Sequence, residues 1–108
     1  MAITAKSLAD GQLAATKGTL YTVPGGTVAY VKFLHVHNTG STTETVVIYV
    51  KRSGSSSRTV GRVILAQNEA ADVLDKDATL TLSTGDVIEG ETTNATTVDY
   101  TITGAEEA

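Results

Sequence analysis

Residues 20–40, LYTVPGGTVAYVKFLHVHNTG, decide how the whole chain is read. The stretch opens on Leu20, Tyr21, Thr22 and Val23, residue types that favour strands. Pro24 stops that strand, because it has no N–H for a ladder and presets a turn. Gly25 and Gly26 supply permissive backbone angles. A second strand then runs from Val28 to His37 and ends at Asn38-Thr39-Gly40. Strand, tight turn and strand make an antiparallel unit. Side chains alternate along a strand. Tyr30, Leu34 and Val36 therefore share the expected core face, interrupted by Lys32, while Val31, Phe33, His35 and His37 share the other.

The same grammar continues outward. Strands are expected at 19–23, 28–37, 45–51, 59–66, 71–74, 79–82, 87–91 and 97–102, with no convincing helix. In the third of these Val46, Ile48 and Val50 face one way and Val47, Tyr49 and Lys51 the other. Turn chemistry separates the strands: Ser53-Gly54-Ser55-Ser56-Ser57, Gln67-Asn68-Glu69 and Thr84-Gly85-Asp86. About eight short strands at roughly ten-residue spacing predict an all-β fold, an antiparallel β-sandwich or barrel, with a jelly-roll-like sandwich the natural eight-strand choice. Residues 1–17 lack a clean period and read as an extended N-terminal arm that gains order only against something else. Residues 18–104 form the expected sandwich domain, and 105–108 a loose acidic tail.

Composition narrows the function. The 108 residues contain no Cys and no Trp, one Phe, one Met and four Tyr, which excludes disulfides and thiolate metal sites within this chain. The core must come from Val, Ile, Leu, Ala and Tyr, a thin supply that makes oligomerisation a reasonable supplement. No apolar run approaches the ~18 residues of a membrane helix. Residues 1–15 have no apolar core of a secretory signal. Charge is unevenly spread: residues 1–62 carry +5 and residues 63–108 carry −9, for −4 overall. Separate charged patches would favour self-association or docking on a charged lattice. An acidic chain with no basic run among aromatics disfavours nucleic acid as a partner.

Three features invite a chemical reading. His35 and His37, at i and i+2 on one strand face, can both reach one metal ion, with Glu44 or Asp99 as the third ligand. The plainer reading is a strand whose far end nears solvent or a subunit interface. Asp72, Asp75 and Asp77 gather in DVLDKD but lack the register, central Gly and closing Glu of a calcium loop. Tyr30, Tyr49 and Tyr100 offer a carbohydrate face, weakened by the absence of Trp. No Gly-x-Ser-x-Gly elbow and no phosphate-cradling glycine loop is present, so an enzyme is not expected, nor any cofactor. Asn94-Ala95-Thr96 matches a glycosylation sequon, read as chance.

The segments LYTVPGGTVAYVKFLHVHNTG, TVVIYVKRSG, TLSTGDVIEG and VDYTITGAEE resemble a recurrent group of small β-rich virion proteins of tailed bacteriophages. The resemblance runs from about Ala5 to Glu106 and rests mostly on Leu20 to Thr27 and Thr97 to Glu106. It implies a structural, non-enzymatic part: a capsid decoration (cement) protein, or a head-fibre, baseplate or tail component of the same fold. The implied partners are the major capsid protein and further copies of the chain, as a trimer, on the outer capsid surface. Ala2, Ile3, Thr4, Lys6, Leu8 and Leu13 of the arm are the expected capsid or subunit contacts. Pro24, Gly25, Gly26, Gly85 and Asp86 are the expected structural turns. A sugar- or metal-binding sandwich module is the alternative of another class. Phe33, His35 and His37 stand where the family pattern has ordinary strand residues.

Overall fold

The structure, a computed structural model, describes residues 3–74 and 79–108; Ala2, Asp75 and Asp77 lie outside the described residues. Nine strands are found among the described residues: β1 (Ile3–Gln12), β2 (Gly18–Thr22), β3 (Val28–Asn38), β4 (Glu44–Lys51), β5 (Ser57–Leu65), β6 (Ala70–Leu74), β7 (Leu80–Leu82), β8 (Val87–Glu91) and β9 (Val98–Glu107). They form two antiparallel sheets, β1-β9-β3-β6 with β7 also on β3, and β2-β8-β4-β5. With β6 and β7 taken as one interrupted strand, the pairs nest: first with last, second with next to last, and so inward to β4 with β5. That is a long hairpin folded over on itself, the jelly-roll arrangement. The fold class expected from the turn spacing is the one observed.

The core follows from strand alternation. Val46, Ile48 and Val50 of β4 point inward, as their spacing predicts, against Val31, Leu34 and Val36 of β3 and Ile102 of β9. One expectation about β3 needs correcting. The ladder to β9 shifts between Val31 and Phe33, so Lys32 is the extra residue of a bulge. The shift reverses the alternation. Ala29 and Val31 are buried before it, Leu34 and Val36 after it, and Tyr30 lies on the outer face instead of in the core. The apparent interruption at Lys32 is this bulge.

The two chain ends also differ from expectation. The N-terminal arm is extended, but it pairs along its length with β9 and ends the first sheet. The acidic tail is not loose: Ala105, Glu106 and Glu107 continue β9, flanked by β1 on one side and β3 on the other. Polar anchors substitute for missing apolar residues. Glu106 accepts hydrogen bonds from Lys6 and Tyr21, and Glu107 accepts one from Tyr30. Gly104 permits the close approach, since a Cβ there would lie 1.9 Å from the carbonyl oxygen of Tyr30. The molecule is elongated along its long strands, with extents of 45 × 26 × 20 Å.

Candidate interaction surface

The sequence-nominated turns come together at one end of the sandwich. Val23 N–H donates to Asp86 O at 3.0 Å, Gly85 N–H to Val23 O, and Thr27 N–H to Thr84 Oγ1 at 3.1 Å. Of the Pro24-Gly25-Gly26 turn, only Gly26 takes a left-handed φ, at 68°; Gly85 takes 85°. The Asp86 carboxylate is the hub. It accepts from the backbone N–H of Ser53 and Ser83 and from the Arg52 guanidinium at 2.9 Å. Burial alone would raise its pKa; the two N–H groups and Arg52 outweigh that and hold the carboxyl below its ordinary range.

The opposite end carries a second polar knot that sequence reading missed. Glu44 is fully buried, and among the described residues no cation pairs with it. Its carboxylate instead accepts from Thr42 Oγ1, Thr92 Oγ1, Asn94 N–H and Asn94 Nδ2. Desolvation pushes this carboxyl up, but the Asn94 and threonine donors win and hold it at about 2. Asn38, also fully buried, donates from Nδ2 to the carbonyls of Thr42, Leu65 and Ala66. Glu44 is therefore committed to the loops and is no metal ligand. The Asn94 side-chain nitrogen is equally engaged, which occupies the atom a glycan would need.

His35 and His37 do share the outer face of β3, as alternation predicts beyond the bulge. His35 Nδ1 lies 2.7 Å from Asp72 Oδ1, and its ring stacks on Phe33 at 5.4 Å between centroids. His37 stands opposite Asp99 in the register with β9. Among the described residues no three His, Asp or Glu groups are placed to hold a metal ion. The face is a flat strip of imidazole, ring and carboxylate on a sheet. The tyrosines do not form a common platform either. Tyr30 donates to Glu107 on the first sheet, Tyr49 donates to Glu91 on the second and lies under Lys17 Nζ at 4.9 Å, and Tyr100 packs on the core. An open hollow of about 250 Å³ is lined by Ala15, Thr45, Val47, Glu91, Thr92 and Thr93.

The arm forms the most unusual surface. No residue of β1 is fully buried; only Leu8 and Ala9 pack partly against the core. Ile3 is 65% exposed. Leu13, just past the strand, is by contrast buried and tied by Leu13 N–H to Val98 O and by Thr96 N–H to Leu13 O. Of the six residues nominated from the arm, Ile3, Thr4 and Lys6 lie exposed on β1, Leu8 is half-buried, and Leu13 belongs to the core. Ala2 lies outside the described residues. The outer edge of β1 offers backbone N–H and C=O groups that no described strand of this chain takes up.

No family model and no curated protein matches the chain. Among solved structures, it is similar to a chain from the work titled "Bacillus endospore appendages form a novel family of disulfide-linked pili", with a TM-score of 0.51 and 18% identity. The alignment covers 98% of this chain and 88% of that one. Likeness at this identity shows the sandwich fold.

Proposed function

We propose that this chain is a structural virion protein of a tailed phage, a capsid decoration protein that binds the outer face of the major capsid lattice and stabilises the expanded head. The observation that carries the reading is β1: a ten-residue strand at a sheet edge without one fully buried residue. Ordering backbone costs about 1–2 kcal/mol per residue, and β1 buries little apolar surface in return. Such a strand is a natural place for a second set of contacts, by strand addition to a partner. The resemblance of residues 20–27 and 97–106 to phage virion proteins supplies the setting. The first segment ends in the turn tied to Asp86, and the second builds β9, flanked by β1 and β3. Polar knots at both ends make the domain rigid, as a clamp must be. The mechanism is mechanical: a rigid body that bridges subunits adds bonds that must break before those subunits can part. Several weak docking points on one oligomer multiply into firm attachment.

A head-fibre, baseplate or tail component is the second reading. It is favoured by the structural neighbour, whose title describes pili; a chain without cysteine would have to make such contacts without disulfides. Electron microscopy of particles labelled through a C-terminal tag separates the two. Label over the whole head supports decoration; label at one vertex or on the tail supports the second reading and rejects the first.

A further inference from the structure

We infer that the outer part of β1 exchanges between copies: in the assembled state, residues 3–10 of one molecule lie on β9 of its neighbour, in the register they have on their own β9. The occupant of the site is a second copy of this chain. The inference rests on the reading of the protein as an assembly subunit and names the contact that would join its copies.

Three observations carry it. First, among the described residues the side-chain hydrogen bonds from β1 to other strands all go to β9. Lys6 Nζ donates to Glu106 Oε1 at 3.1 Å, and Gln12 Nε2 donates to Asp99 Oδ1 at 3.1 Å; Ser7 bonds only within β1, to Asp10. Key and lock are thus one strand each, and every copy carries both. A neighbour's β9 offers residues 3–10 the same Glu106 and the same ladder, while Gln12 keeps its own Asp99, so exchange preserves the pairing of β1 with β9.

Second, the chain has a pivot and an anchor at the right places. Leu13 is buried and bonded in both directions to the loop before β9 and to β9 itself. Gly11 lies two residues earlier, opposite Tyr100. Glycine rotates without steric penalty, so residues 3–10 can swing away while Leu13 stays seated. Third, β1 packs less apolar surface on the core than the other edge strands. β2 and β5 each place a buried residue there, Tyr21 and Leu65 respectively, and β6, though without a fully buried residue, packs Ala71, Val73 and Leu74 against it, so peeling any of them would open the core. Peeling β1 exposes only partly buried Leu8 and Ala9.

The absence of cysteine makes the test direct. Ala5 and Ala105 face each other in the β1–β9 register, and directly opposed antiparallel residues lie within disulfide reach. An Ala5→Cys chain and an Ala105→Cys chain, distinguished by tags of different mass, are mixed, concentrated and bound to capsids, then oxidised. Exchange predicts a mixed disulfide joining the two tagged chains, increasing with protein concentration. The Ala5→Cys/Ala105→Cys double variant, which shows that the register is intact, should close within one chain when dilute and yield a ladder of linked chains when assembled. Closure of the double variant within one chain under all conditions, with no mixed disulfide between the single variants, overturns the inference. So does a double variant that never cross-links. Decoration is judged separately: if the double variant, locked within one chain, still coats capsids, exchange falls and decoration stands. If wild-type protein does not bind capsids, decoration falls whatever the cross-links show.

Discussion

Glu44 shows how one residue can be both prominent and misread. As a letter in the sequence it is a carboxylate near a histidine pair, hence a candidate metal ligand. In the fold it is fully buried, with four neutral donors around it. Nothing in the local sequence announces that, because Thr92 and Asn94 are 48 and 50 residues away. Glu44→Ala should leave those donors unpaired and lower the melting temperature by about 10 °C or more. The pH dependence follows from the direction of the shift. The carboxyl is held at about 2 in the fold against an ordinary value of 4.5. Its contribution is therefore complete above about pH 5 and is lost as pH falls from there toward 2. Asp86 and Glu106, also held low, act in the same direction. Chemical denaturation between pH 2 and 7 should show a steep acid limb that Glu44→Gln makes shallower; an unchanged limb would show that Glu44 does not set it. The tyrosines bound the alkaline side. Burial followed by the Glu106 contact raises the Tyr21 phenol above its ordinary value, and the Glu107 hydrogen bond leads the rise at Tyr30. Their contributions are whole below pH 10 and fade above it, so phenolate absorbance should rise together with unfolding.

At the scale of elements, the strands that pack an apolar face on the core were legible, and β1, which hardly does, was not. β4 announces itself through Val46, Ile48 and Val50, and β8 follows its Gly85-Asp86 turn. β1 has no apolar alternation to read, because it is exposed almost throughout, and its order comes from backbone pairing. The end of β9 reads as a loose tail for the same reason; Lys6, Tyr21 and Tyr30 hold it through Glu106 and Glu107. The histidine face was legible, but the faces of β3 exchange at the Lys32 bulge, and no periodicity shows a bulge in advance. Glycine substitutions test this layer. Gly104→Ala would drive a Cβ into the Tyr30 carbonyl and should prevent β9 from seating on β3, seen as a large loss of stability or failure to fold. Gly25→Ala meets nothing within 4 Å and has no left-handed φ, so it should be neutral or slightly stabilising. Gly26→Ala, at φ 68°, should cost about 1 kcal/mol. Equal melting temperatures for the Gly25 and Gly26 variants would contradict the described turn.

At the scale of the whole molecule, the charge asymmetry along the sequence does not become two poles, because the jelly roll interleaves its halves: β1 lies on β9 and β2 on β8. What the fold does separate is how its parts are held. Loops at both ends are tied by buried polar groups, while one edge carries a long, exposed strand held by a single neighbour. The most direct measurement is the thermal disruption of expanded capsids with and without the purified protein, with bound protein quantified by co-sedimentation. A decoration protein predicts saturable binding at a fixed ratio to the major capsid protein and a higher disruption temperature, both reduced when residues 1–10 are deleted. Capsids that sediment without the protein and melt at an unchanged temperature would contradict it.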